Sequence, residues 1–112
     1  METREITFTR GDTYVFGFKI TGIEEELDAA YFTCRKDKFR ETPIVFQLEL
    51  DNGITYLGEN EYQVVIASDL TEDLDIGAYY YDLELTSNGS VLTPIKGKLK
   101  LTWDVTGDDA NE

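Results

Sequence analysis

The chain has 112 residues, 23 acidic against 10 basic side chains, a net charge of −13 and 41% hydrophobic content. That suffices for one domain with its own core and not for two. It is too apolar for a disordered polymer, and the charge has the wrong sign for a generic nucleic-acid binder or an anionic membrane surface. No apolar run approaches the roughly 18 residues of a membrane-spanning helix. Met1-Glu2-Thr3-Arg4-Glu5 opens the chain without an apolar segment that could act as a secretion signal. The expectation is synthesis and folding in a cytoplasm.

The elements read as strand after strand. Ile6-Thr7-Phe8 is short, and Arg10-Gly11-Asp12 turns the chain. Tyr14, Phe16, Phe18 and Ile20 alternate with Val15, Gly17 and Lys19, which predicts a strand over Thr13 to Ile20. Thr21 to Glu26 is loop. Ala30, Phe32 and Cys34 share one face of a third strand ending at Arg35. Ile44, Phe46, Leu48 and Leu50 mark a fourth, followed by the turn signal Asp51-Asn52-Gly53 and a short strand over Ile54-Thr55-Tyr56. Tyr62, Val64 and Ile66 mark the next. Ser68 to Leu74 has helical character, with Ser68 as its cap, but is too short to stand alone. The last strand runs from Val91 to about Val105. Residues 1–106 form one domain, and residues 107–112 are an acidic, flexible tail.

Asp75-Ile76-Gly77-Ala78-Tyr79 leads into strict alternation, with Tyr79, Tyr81, Leu83 and Leu85 on one side and Tyr80, Asp82 and Glu84 on the other. Asp-x-Gly-x-Tyr before a strand is the sequence form of the tyrosine corner. It predicts an all-β, immunoglobulin-like antiparallel β-sandwich of about seven to eight strands with one short helical turn. In the final strand Val91, Thr93, Ile95, Gly97, Leu99, Leu101 and Trp103 share a phase, and Lys96, Lys98 and Lys100 share the other. A two-residue loop at Asn88-Gly89 would turn the lysines into the core, where desolvation penalises them. A three-residue loop, Ser87-Asn88-Gly89 with Gly89 left-handed, keeps them outside and is the expected form.

The chemistry of catalysis is sparse. The sequence has no histidine, which removes imidazole-based triads and the common zinc sites. Cys34, the only cysteine, excludes an internal disulfide and reads as a buried small hydrophobe. No glycine-rich phosphate loop is present. The acidic clusters Glu24-Glu25-Glu26-Asp28, Glu72-Asp73-Asp75 and Asp104 with Asp108-Asp109 lack calcium-loop spacing and read as solvated loops. Short loops leave little room for a catalytic cleft. No catalytic, metal or cofactor site is expected. The candidate interface residues are outward-phase or clustered: Tyr31, Tyr80, Arg35, Lys36, Lys38, Lys96, Lys98 and Lys100. Arg35 to Arg40 could meet an acidic partner, and the three lysines could pair with Asp82 or Glu84.

Ile6-Thr7-Phe8-Thr9-Arg10-Gly11-Asp12-Thr13, Ala30-Tyr31-Phe32-Thr33, Asp51-Asn52-Gly53-Ile54-Thr55, Ser68-Asp69-Leu70-Thr71, Gly77 to Glu84 and Ile95-Lys96-Gly97 occur in an order that spans nearly the whole chain. The set resembles the N-terminal immunoglobulin-like domain of bacteriophage baseplate upper proteins. Members of that family usually continue into a longer C-terminal region. Here Trp103-Asp104-Val105 is followed only by the acidic stretch, so the expectation is a freestanding version used elsewhere on the particle. The resemblance implies a non-enzymatic virion structural or adaptor protein of the tail baseplate or a related component. It would be made in the bacterial host cytoplasm and would dock to other phage structural proteins as a homo-oligomer, without nucleic acid or membrane. A different class is capsid decoration or host-surface carbohydrate binding and adhesion, with Tyr31, Tyr80 or Trp103 as a stacking platform. Trp103 on the core phase argues against that use. A third is an inhibitor that mimics nucleic-acid charge.

Overall fold

The computed structural model describes residues 2–21 and 27–105. Its strands are β1 (Glu2–Thr3), β2 (Ile6–Thr9), β3 (Tyr14–Lys19), β4 (Ala29–Arg35), β5 (Ile44–Leu50), β6 (Gly53–Gly58), β7 (Glu61–Ile66), β8 (Gly77–Ser87) and β9 (Ser90–Thr102). A single 3-10 turn, Ser68–Leu70, precedes β8. The hydrogen-bonded order is β1-β9-β8-β4-β5-β6-β7-β3, with β2 also on β9. β9, β8, β4 and β5 form one antiparallel layer, edged by β1 and β2 running parallel to β9. β6, β7 and β3 form the second. Two parallel pairs, Glu49 with Gly53 and Leu50 with Ile54, join the layers. This is the immunoglobulin-like sandwich that the alternating phases require.

The inward residues of both layers meet in one core that includes Ile6, Phe32, Cys34, Leu48, Ile54, Val64, Ile66, Leu83, Leu99 and Leu101. Phe32 lies at its centre. Its ring stacks on Tyr81 at 5.0 Å, tilts against Phe16 at 5.9 Å and faces Phe46 at 6.2 Å. In antibody domains an inter-sheet disulfide packs against a tryptophan on the strand equivalent to β4, and one of its cysteines follows the corner tyrosine by two residues. Tyr81 holds that position here. The Phe16–Phe32–Tyr81 contacts span the same gap between layers with rings.

The tyrosine corner is formed. The Tyr79 hydroxyl donates to the Asp75 carbonyl at 2.6 Å. The same end of the sandwich is tied by Arg10, whose Nε and terminal nitrogen meet Asp104 at 3.1 and 3.0 Å and whose other nitrogen donates to the Leu74 carbonyl at 3.1 Å. The buried Thr71 hydroxyl accepts from the Gly11 amide at 2.9 Å. Asp104, weighed above as part of an acidic cluster, is therefore an ion-pair partner. Asp28 likewise accepts from the Asn88 amide at 2.7 Å.

Three expectations need correction. The β8–β9 loop has two residues, not three: Ser87 pairs with Ser90, and Asn88 and Gly89 are both left-handed at φ 53° and 84°, a type I′ turn. The lysines still face outward because the register shifts farther along, so that Leu85 pairs with Leu92 but Leu83 with Ile95. The extra residue falls beside Pro94, where a missing amide is tolerated. Val91, before the bulge, is consequently on the outer phase and 61% exposed. Next, β9 ends at Thr102, so Trp103 leaves the core phase and is 66% exposed. The 3-10 turn is preceded by Ala67 in cap position with no side-chain cap bond, because Ser68 already lies inside the turn. One element was not foreseen: the two-residue β1 has no alternation of its own to reveal it and pairs along the edge of β9. Residues 22–26 of the Thr21 to Glu26 loop, with Glu24, Glu25 and Glu26, and the 107–112 tail, with Asp108 and Asp109, lie outside the described residues.

Candidate docking groove

The outer face of β4, β8 and β9 is built in rows by register. Thr33 lies beside Asp82 and Asp82 beside Lys96. The next row is Arg35, Tyr80 and Lys98. One edge is raised by the N-terminal segment, through Thr3 and Glu5. The other is raised by the connection after β4, through Asp37, Lys38, Phe39 and Arg40, and together they enclose a groove of about 660 Å³. That connection is braced locally. Arg35 donates to the Thr42 carbonyl, and the Thr42 hydroxyl donates to the carbonyls of Phe39 at 2.6 Å and Asp37 at 3.1 Å. The expectation that short loops leave little room for a cleft is thus overturned, because a raised connection and a terminal segment along the β9 edge build walls on the sheet.

Five of the chain's ten basic residues, Arg35, Lys38, Arg40, Lys96 and Lys98, line the groove against three acids, Glu5, Asp37 and Asp82. A molecule of net charge −13 therefore carries a locally positive face. Tyr80 is half-buried on the floor, and Phe39 stands exposed on the wall with the Lys38 ammonium 5.8 Å from its ring centre. Asp82 is half-buried between rows. Burial raises its carboxyl above the ordinary value of 3.8, and the charges of Arg35 and Lys96 pull it partway back. Cys34, under the floor, is fully buried, and desolvation pushes its thiol up to about 12, which leaves no thiolate at neutral pH. Among the described residues, no three His, Cys, Asp or Glu side chains converge as metal ligands.

Of the interface residues chosen from sequence, the structure brings Tyr80, Arg35, Lys38, Lys96 and Lys98 together. Tyr31 lies elsewhere on the face, between Glu49 and Glu84. Lys36 falls on the phase opposite to Arg35 and reaches over the Tyr79 ring at 5.3 Å. Lys100 pairs with Ala78, beyond the groove lining. Phe39, Arg40 and Asp82 also line the groove, with Thr3, Glu5, Thr33 and Asp37, and lie outside the expected interface set. Phe39 and Arg40 lie in the basic stretch that was singled out, and Asp82 was visible as a lysine partner.

No protein-family model and no curated protein matches this sequence. Among solved structures, the extracellular domain of the voltage-gated sodium channel beta4 subunit, solved as parallel homodimers that explain its role in cell-cell adhesion, is similar. Its identity is 13% over 94% of this chain and 95% of that one, with a TM-score of 0.50. The likeness agrees with the immunoglobulin-like sandwich derived from register and core. At that identity it speaks to fold alone.

Proposed function

We propose that the protein is a non-enzymatic docking module that receives an acidic segment of a partner protein in the β4–β8–β9 groove. The observation that carries this reading is the concentration of half the chain's cations in one walled groove, on a molecule otherwise dominated by carboxylates. Charge placement of this kind steers encounter and fixes register, and the half-buried Tyr80 and exposed Phe39 rings supply contact area at low entropic cost. Titration with a short oligoglutamate peptide, followed by amide chemical shifts, tests it. Shifts are expected along residues 33–35, 80–82 and 96–98, weakening with salt and disappearing in a Lys96→Glu, Lys98→Glu variant. Absent shifts, or shifts scattered over the surface, reject the groove as a docking site.

The setting we propose is a bacteriophage particle, as a baseplate or related structural adaptor. Support comes from the ordered motifs that resemble baseplate upper proteins and from a fold made of docking faces. Mass spectrometry of particles purified from the parent phage should find the chain at stoichiometric level, and its absence rejects the virion role. A second reading, capsid decoration or host-surface carbohydrate adhesion, is favoured by one observation: the Trp103 indole is solvent-exposed and free to stack on a sugar ring. A glycan array on the intact protein and a Trp103→Ala variant separates the two.

A further inference from the structure

We propose that β3 is a strand-addition edge and that its occupant is β3 of a second copy of this chain, paired antiparallel about a two-fold axis at Gly17. Among the described residues β3 pairs on one side only, with β7. The Ile20 amide donates to the Asn60 carbonyl at 3.0 Å, in line with the β3–β7 register in which Tyr14 faces Ile66 and Lys19 faces Glu61. Antiparallel ladders alternate bonded and non-bonded pairs. The even residues of β3 therefore bond to β7, and Val15, Gly17 and Lys19 aim their amides and carbonyls away from the sheet. An extended backbone has the matching spacing of donors and acceptors.

Protein edges are normally blunted by proline, a bulge, an inward charge or charged side chains along the strand, lysine above all. β3 has no proline, bulge or inward charge, and its one lysine, Lys19, stands at the end of the strand. Gly17 adds a second observation. Its φ is not left-handed, and an added Cβ would meet only the Tyr62 carbonyl oxygen, at 3.4 Å. Nothing among the described residues therefore demands glycine in mid-strand, where it weakens pairing and often marks the close approach of another backbone. Beside the edge the seam between layers stays open, with a cavity of about 380 Å³ among Phe18, Ile20, Leu92, Pro94 and Ile95.

A second copy fits this edge in a self-complementary register. With Gly17 opposite Gly17 of the second copy, Val15 faces Lys19 and Phe16 faces Phe18 at both ends, so no like charges oppose and aromatic pairs continue the inner face. The three-stranded layer β6-β7-β3 becomes six strands across the axis. This surface is separate from the basic groove, so either site can fail without the other.

Light scattering and sedimentation on the full chain test the inference. Dimers are expected, with Val15→Lys raising the dissociation constant about tenfold through two like-charge pairs and Val15→Glu lowering it. Val15 is 49% exposed, so neither change disturbs the core. Gly17→Cys should cross-link to itself on oxidation, because directly bonded partners lie about 5.5 Å apart at Cα, and buried Cys34 does not compete. A monomer at every concentration up to about 1 mM overturns the proposal. So does a dimer indifferent to both Val15 charges and without the Gly17→Cys cross-link, which would assign association to another surface. Capture of an extended peptide by β3 in place of a second copy also overturns the proposed occupant.

Discussion

The Tyr79 hydroxyl reaches back four residues to a main-chain carbonyl, so one oxygen fixes the angle at which β8 enters its layer. Tyr79→Phe keeps the buried ring and removes only the donor. The expected loss is about 1 kcal/mol in urea unfolding, the net worth of one such bond, and an unchanged midpoint would show that ring packing alone holds the corner. Asp82 makes the opposite kind of prediction. Its folded pKa lies above the unfolded value, so the folded state holds the proton longer. Stability therefore falls as pH rises from the ordinary carboxylate value through the raised one, and stays lower beyond. Asp82→Asn should flatten that part of the profile, read as the difference between variant and parent in unfolding series from about pH 3 to about pH 7. Residue types were the most legible feature in sequence: the inward phase of Cys34, Phe32 and Tyr81 followed from alternation alone.

At the scale of elements, the β8–β9 hairpin separates what alternation determines from what it leaves open. Penalties on burying lysine decide which face of β9 is wet. They do not decide whether the phase is corrected at the turn or by a bulge, and here the correction falls along the strand beside Pro94. The course of the N-terminal segment along the edge of β9 was equally hidden. Gly97 faces inward beneath Arg4, where an added Cβ would overlap the Arg4 carbonyl oxygen and lie 2.9 Å from its carbon. The Arg4 amide donates to the Lys96 carbonyl at 2.9 Å, and the Arg4 carbonyl accepts from the Tyr81 hydroxyl at 2.8 Å. Gly97→Ala should push this segment off, costing about 1–3 kcal/mol as overpacking does. Hydrogen exchange at the Arg4 amide should rise while β9 amides stay protected, and equal protection of Arg4 in both proteins would refute the close approach.

For the molecule as a whole, net charge proved a poor guide to any one face. The groove draws on β4, β8, β9, a connection and the N-terminal segment, residues far apart in sequence whose meeting depends on register across three strands. Outward phase was readable for Tyr80, Arg35 and the lysines. Which of them share a row was not, because pairing partners are set by turns and bulges elsewhere. Tyr31 and Lys100 show the result: each is outward, and each falls outside the groove.

The ring contacts at the centre of the sandwich have a consequence for where this domain can work. Phe16, Phe32 and Tyr81 join the layers without sulfur, and the one thiol is sealed beneath them. The closure is therefore indifferent to redox conditions: it forms as readily amid glutathione as in an oxidising medium, and passage from one to the other leaves the fold unchanged.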